Sequence, residues 1–505
     1  MSKPFFTISD NPGYVGLNTT VYSDHNDFCN EISKLLKHEN NHCVNYYSIK
    51  NEDNIELICI IADDTEKTLR IYISNVFQRD KPLCSLTLSS PQMHVFEREI
   101  HENHGISFKG HPWLKPLRYS CNRFDRNGKM SEYPFYLIDS EELHEVGVGP
   151  VHAGVIEPGH FRFICNGEKV LHLEIQLGYQ HRGIEKLITV SENALKRSIL
   201  SESIAGDSVA AHSLSHVQLM ESLSGIDVPE KLQIERCIAL EMERIAIHIG
   251  DTAALCGDVA YQLGQVVCEA LRTMVINTTQ LWCGNRFGKG LIRPGGTNYP
   301  LDNEILDSIL KTLGEVESRF SEVSGRIYSL PTVLARFEDV GQVTRDQALS
   351  IGAVGMAART CGIPRDIRVT HPFQYYRKYN AATITLDSGD VLARGLLRVK
   401  EVVSSFRIIT GLADAWRNTG GRPGRPVYDY SPRPDSFSVS LVEGWRGEIC
   451  HSAFTGSSGE IVHYKVKDPS LHNWMALALA VRNQEISDFP VCNKSFNLSY
   501  CGHDL

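Results

Sequence analysis

The residues best suited to chemistry in this chain are two loop histidines, two charged clusters and a scattered set of cysteines. His152 and His160 flank the loop in "GPVHAGVIEPGHFRF". A histidine at the mouth of a hairpin can donate a proton or hold a polar head group near neutral pH. The simpler alternative is a turn histidine bonded to nearby backbone. "YQHRGIEKL" gathers His181, Arg182, Glu185 and Lys186. At a helix start, Arg182 and Lys186 share one face with Glu185 beside them. "VEGWRGEICH" sets Glu443, Arg446 and Glu448 next to a predicted strand. The 14 cysteines include no Cys-x-x-Cys pair. A sequence-local zinc or iron–sulfur site is therefore not expected, and most cysteines read as reduced, buried, small hydrophobes.

Nucleotide loops are missing as well. "GVGP" lacks the third glycine of a dinucleotide turn, and "GNRFGKG" has the wrong order for a phosphate loop. The chain itself is not expected to bind NADH or ATP. The net charge of −9 over 505 residues argues against a nucleic-acid partner. No apolar run approaches 18 residues, and "MSKPFFTISDNPG" has no signal core, so neither a membrane span nor export is expected.

Periodicity supplies the elements that must position these groups. Residues 1–120 predict a small α+β domain. Its first helix lies in "DHNDFCNEISKLLKHE", capped by Asp24 or Asp27, with Phe28, Ile32 and Leu35/Leu36 on one face. Strand-like runs follow at "CVNYYSIK", "IELICIIA", "TLRIYIS" and "CSLTLSS". A further helix ends at Gly105. Residues 121–147 are polar with weak periodicity and predict a linker. From 148 to 505 the pattern is mainly helical, with small β elements near 151–176 and 436–465. Asn166-Gly167 predicts a hairpin turn with positive φ at both residues. Gly225 predicts a helix end, Asp227 and Glu230 a capping box, and Ile234, Ile238, Met242, Ile245 and Ile249 the buried stripe of the next helix. Further helices are predicted near 303–325, 344–359, 390–411 and 470–483.

Taken together, the motifs resemble a known family. "FEREIHENHGISFKGHPWLKPL" resembles the end of the 30-kDa subunit of respiratory complex I. "GPVH…EPGHFRF…LGYQHRGIEKL", "ALEMERIAIHIGD", "NRFGKGLIRPGG", "GMAARTCGIPRDIR", "SGDVLARGLLRVKE" and "VEGWRGEI" resemble its 49-kDa subunit. They also resemble the large subunit of membrane-bound [NiFe] hydrogenases of the hydrogenase-4 and formate hydrogenlyase kind, in which the two regions are fused in this order.

The resemblance implies a fold and a site. Hydrogenases of this kind bind nickel and iron through two Cys-x-x-Cys pairs. Those positions fall here on Ala205 and Ser208, and on Ser499 and Gly502. Such metals need soft thiolates, so the [NiFe] centre is expected to be absent. In complex I the vacated cavity receives a quinone head group, using a hairpin-loop histidine and a tyrosine. The histidine matches His160, with His152 as neighbour; the tyrosine position falls on Gly206. Arg182, Glu185, His212, Arg446 and Glu448 would line or brace the cavity. The implied function is a redox subunit passing electrons from a partner's iron–sulfur cluster to a quinone or similar acceptor, with no cofactor held by this chain. The alternative is a non-catalytic coupling module. Implied partners are an iron–sulfur small subunit and integral-membrane ion-translocating subunits, which would hold the chain peripherally at the cytoplasmic face of the inner membrane. NADH dehydrogenase activity would then belong to the assembly.

Overall fold

A computed structural model describes residues 5–17, 22–51, 54–76, 81–152 and 156–505. The architecture is α+β, as expected. The N-terminal region is built on a five-stranded sheet of Phe6–Ile8, Tyr22–Ser23, Asn41–Asn51, Asn54–Asp63 and Thr68–Val76. "IELICIIA" shows why this sheet is apolar on both faces. Ile55, Leu57, Cys59 and Ile61 face the His25–Leu35 and His94–His104 helices, whereas Ile58, Ile60 and Ala62 point into the core shared with the rest of the chain. Side chains alternate across a strand, so one segment serves two cores. Asp24 caps the first helix by accepting from Asn26 N, and Gly105 closes the second in the left-handed region.

The two regions are tied by more than packing. Gly13–Gly16 extends the sheet formed by Ser436–Glu443, Glu448–Thr455 and Ile461–Lys467. His42 bonds Glu448 at 2.7 Å, Tyr47 bonds Ser452 at 3.0 Å, and Arg365 pairs with Asp64 at 3.0 Å. His144–Val148, at the end of the expected linker, is the edge strand of a three-stranded sheet with His160–Asn166 and Lys169–Gln176.

Long helices carry most of the remainder. Glu230–Asp258, Gln262–Cys283, Asn303–Ile327 and Val391–Asn418 pack together, and the predicted stripe from Ile234 to Ile249 is buried. Gly225 ends the Val209–Ser224 helix with φ 64°.

Four local expectations are corrected. Asp227 does not cap: Pro229 takes the N-cap position, with no side-chain bond. The hairpin forms, but its loop is Gly167–Glu168, because Asn166 pairs with Lys169; only Gly167 has positive φ, at 57°. The segment after Leu83–Cys84 is not a strand. Ser85 Oγ, Thr87 Oγ1 and Leu86 N instead donate to the buried carboxylate of Glu97, a local competitor to the ladder. The helix expected at 344–359 breaks into Arg345–Ser350 and Gly355–Arg359, with Gly355 at φ 59°. A side chain there would meet the Arg446 carbonyl carbon and oxygen.

Candidate functional site

The loop before the Val209–Ser224 helix and the turn before the short Tyr500–Asp504 helix lie side by side, joined by two arginines. Arg446 grips Asp207 with two bonds, at 2.7 and 2.6 Å, touches Ser208 Oγ at 3.4 Å, and donates to Asn497 O at 2.6 Å. Arg182 donates to the carbonyls of Ser203 and Ile204 at 2.5 and 2.8 Å, and to that of Cys501 at 3.3 Å. The segments carrying Ala205 and Ser208, and Ser499 and Gly502, therefore converge as the family resemblance implied. Gly206 is exposed and Asp207 partly so, placing the mouth of this site at the surface.

These residues do not fit a nickel–iron centre. Ser499 Oγ is committed to capping, accepting from Gly502 N at 2.9 Å. Ser208 Oγ faces a guanidinium. A Cβ on Gly502 would lie 2.7 Å from Asp468 Cγ and Oδ2, so even the side chain of a cysteine has no room there. Cys501 remains, but burial, with the Glu157 carboxylate beside it, pushes its thiol up to about 12, so it stays protonated and a poor ligand. Two donor hydroxyls and a fixed positive charge are the reverse of what a soft-metal site needs.

What positions Arg446 is a buried charge cluster assembled from the scattered motifs. "ALEMERIAIH" supplies Glu241, Arg244 and His248; "GMAARTCGIPRDIR" supplies Arg359, Asp366 and Arg368; "SGDVLARGLLRVKE" supplies Glu401; "VEGWRGE" supplies Glu443. Arg359 pairs with Glu401, His248 bonds Glu401 at 2.7 Å, and Arg368 bonds Asp366 at 2.7 Å and Glu241 at 3.0 Å. Arg244 donates to Glu443 O at 2.7 Å and Gly444 O at 3.3 Å, fixing the turn that presents Trp445 and Arg446. Three guanidiniums face four carboxyls. Burial, and then the Asp366 charge, push Glu443 up to about 8. The sequence suggested each motif separately; their convergence was not visible because the members lie up to about 200 residues apart.

The other expected site residues divide. His212 joins the site through Asp468, at 3.1 Å. Glu185 accepts from Val466 N at 2.9 Å and pairs with Lys465, bracing the neighbouring strand. Glu448 lies elsewhere, between His42 and Lys467 at the junction of the two regions. His152 Nε2 meets Gly159 O at 2.8 Å, and its ring lies 5.9 Å from Phe161. Phe161 in turn touches Tyr500, so His152 stands on the site's side of the hairpin. His160 points the other way, as alternation along a strand requires: its Nδ1 meets Gly149 O at 3.1 Å and its ring packs on Phe135. Glu157, beside Cys501 and Tyr500, is a site neighbour that no motif in the sequence singled out.

Residues 21–123 match the family described as respiratory-chain NADH dehydrogenase, 30 Kd subunit, and residues 258–422 that described as respiratory-chain NADH dehydrogenase, 49 Kd subunit. Hydrogenase-4 component G of Escherichia coli (strain K12) is 26% identical over 423 residues, covering 80% of this chain and 72% of the relative. An NADH-quinone oxidoreductase subunit of Phocaeicola vulgatus is 24% identical over 473 residues, covering 86% of this chain and 90% of that one. Among solved structures, a chain of the membrane-bound sulfane sulfur reductase, an archaeal respiratory membrane complex, shares the fold with a TM-score of 0.66 at 21% identity, over 73% of this chain and 100% of that one. The chain thus fuses a 30-kDa-like and a 49-kDa-like complex I region, and its relatives include hydrogenase-4 component G and NADH-quinone oxidoreductase subunits.

Proposed function

We propose that this chain is the electron-transferring subunit of a membrane-bound, complex-I-like oxidoreductase that works without a nickel–iron centre. Electrons arrive from an iron–sulfur cluster in a partner small subunit and leave on a quinone or similar small acceptor. Ion-translocating membrane subunits hold the chain peripherally at the cytoplasmic face of the inner membrane. Among the described residues no helix is long and apolar enough to cross a membrane, which accords with attachment through partners.

One observation carries this reading. The four ligand positions, all buried, converge beside a guanidinium just beneath the exposed Gly206, where nothing beyond the adjoining residues lies within 4 Å of where a side chain would begin. A site that has lost its thiolates but kept its architecture is suited to a small polar acceptor and to closure by a partner. Arg446 and Arg182 would stabilise negative charge arriving on the acceptor, and His152, on the site's side of the hairpin, would hold or supply a proton.

The test is acceptor reduction by the purified membrane complex, with a panel of quinones. His152→Ala is expected to lower turnover about 10²-fold, a usual loss for a positioned acid or base. His160→Ala, across the strand, is expected to cost less than His152→Ala. The second reading, a non-catalytic coupling module, is favoured by the size of the buried charge cluster. It gains if the intact complex reduces no acceptor while both variants still assemble.

A further inference from the structure

An unbroken chain of buried polar side chains leads inward from the converged loops. Asp468 Oδ2 stands against Gly502, 2.7 Å from where a Cβ would be, and meets His212 Nε2 at 3.1 Å. His212 Nδ1 meets His451 Nε2 at 3.1 Å. His451 Nδ1 meets the Tyr464 hydroxyl at 2.7 Å, and His216 Nδ1 meets the same hydroxyl at 2.8 Å. His212, His216 and His451 are fully buried, and Asp468 and Tyr464 are each 1% exposed. His216 Nε2, at the end of the chain, has no partner. Tyr464 borders a polar cleft of about 900 Å³ that is also lined by Glu99, Arg118, Glu185 and Lys186. The five residues come from the Val209–Ser224 helix, the Glu448–Thr455 and Ile461–Lys467 strands, and the turn after the latter.

We propose that Asp468, His212, His451, Tyr464 and His216 form a proton wire that starts at His216, one bond beyond the cleft-lining Tyr464, and ends on Asp468 at the site. The proposal rests on the acceptor reading above for its purpose, but not for its existence. With Asp468 ionised, one set of tautomers satisfies every link. His212 donates from Nε2 to Asp468. His451 donates from Nε2 to His212 Nδ1, Tyr464 donates its hydroxyl to His451 Nδ1, and His216 donates from Nδ1 to the Tyr464 oxygen. When His216 Nε2 takes up a proton, its Nδ1–H passes to Tyr464, the Tyr464 proton to His451 Nδ1, the His451 Nε2 proton to His212 Nδ1, and the His212 Nε2 proton to Asp468. Each member loses one proton and gains one except Asp468, which ends as a carboxylic acid; no electron moves. Asp468 then presents a proton beside Gly502, where the acceptor would be reduced.

The surroundings keep His216, His451 and Tyr464 uncharged at rest and Asp468 ionised. Burial, reinforced by Arg197 and Arg293, holds His216 at about 3, and burial with its two histidine neighbours holds His451 well below its ordinary value. Burial keeps the Tyr464 phenol intact, with Tyr430 and Glu185 adding to the effect and Arg197 opposing it. Burial opposes ionisation of Asp468, yet the His212 bond and the Arg446 charge hold it at about 2. His216, His451 and Tyr464 therefore place no resting charge on the path to Asp468.

The experiment is nitrogen NMR of the full chain with labelled histidine, which reads the tautomer of each ring without any acceptor. The wild type is expected to show N–H on Nε2 of His212 and His451, and on Nδ1 of His216. Any other combination at neutral pH overturns the wire. Asp468 Oδ1 accepts from Ser470 N at 2.8 Å, so in Asp468→Asn the amide oxygen stays there and its NH2 faces His212. Every link must then reverse, and the N–H of His216 is expected to move to Nε2. Adding Tyr464→Phe is expected to abolish that response. A switch at His212 that never reaches His216 refutes the proposal. In the membrane complex, Tyr464→Phe should lower acceptor reduction about 10-fold or more and raise the solvent isotope effect. If the complex reduces nothing, the acceptor reading fails while the tautomer result stands.

Discussion

Removing Arg446 should open the site locally, by an amount that can be worked out. Its guanidinium is nearly buried and makes a two-pronged pair with Asp207, plus a bond to Asn497 O. Breaking a buried pair by deleting one partner costs about 3–5 kcal/mol, because the other charge is left uncompensated. Asp207 is 35% exposed, so its carboxylate recovers part of its hydration, and the lower end applies. The orphaned Asn497 carbonyl adds about 1 kcal/mol. Arg446→Ala should therefore destabilise the junction of 203–208 with 497–502 by roughly 3–4 kcal/mol. At 1.4 kcal/mol per tenfold, exchange-competent opening rises at least ~10²-fold. Hydrogen exchange followed by peptide mass spectrometry reads this directly, without assuming that so large a chain unfolds in two states. Peptides spanning 203–209 and 497–505 should exchange ~10²-fold faster, and the Glu230–Asp258 helix should stay unchanged. Arg446→Lys, which keeps the charge but not the fork, should fall between wild type and Arg446→Ala. Exchange within threefold of wild type in both peptides would refute the idea that Arg446 holds the two loops together.

Gly502→Ala should destabilise the same turn by about 1–3 kcal/mol, since its Cβ overlaps the Asp468 carboxylate; an exchange rate like wild type's would show that the turn can yield. Glu243, which accepts from Ala210 N and Ala211 N, is pushed up to about 8, chiefly by burial. Its folded value lies above the unfolded one, so the folded state holds this proton more tightly. Stability from this group is present below about pH 4.5 and is lost as pH rises through about 8. Glu243→Gln should therefore gain on wild type between pH 5 and 8 in thermal denaturation; a pH-independent difference contradicts the shift. Protease should cut first within 121–143, where Phe124 and Leu137 are exposed, and leave the Glu230–Asp258 helix intact. Early cutting in that helix would contradict its buried placement.

Local grammar was legible wherever one residue decides the backbone. Asp24, Gly105 and Gly225 were readable because caps act within a few residues. Asp227 misled because Pro229 shifts the start of the helix, and "CSLTLSS" misled because its hydroxyls serve Glu97 instead of a neighbouring strand. The converging loops were legible only through resemblance, since nothing in spacing joins residue 205 to residue 502. The linkage of Asp468, His212, His451 and Tyr464 was not legible. Apart from His212, which the resemblance set at the cavity, its members read as isolated polar residues, and only the packing of the Val209–Ser224 helix on the late strands brings them within bonding distance. Strand alternation could have separated His152 from His160, because Phe161 alone shows which face of the hairpin is buried.

The central claim is electron transfer without a nickel–iron centre, and one measurement meets it most directly: metal content and hydrogen uptake of the purified membrane complex, assayed beside quinone reduction on the same sample. The account predicts nickel far below one atom per chain, iron only at the level of the partner's clusters, no hydrogen uptake, and electron flow to an acceptor that falls in Arg446→Ala. Nickel near one atom per chain together with hydrogen uptake would contradict it.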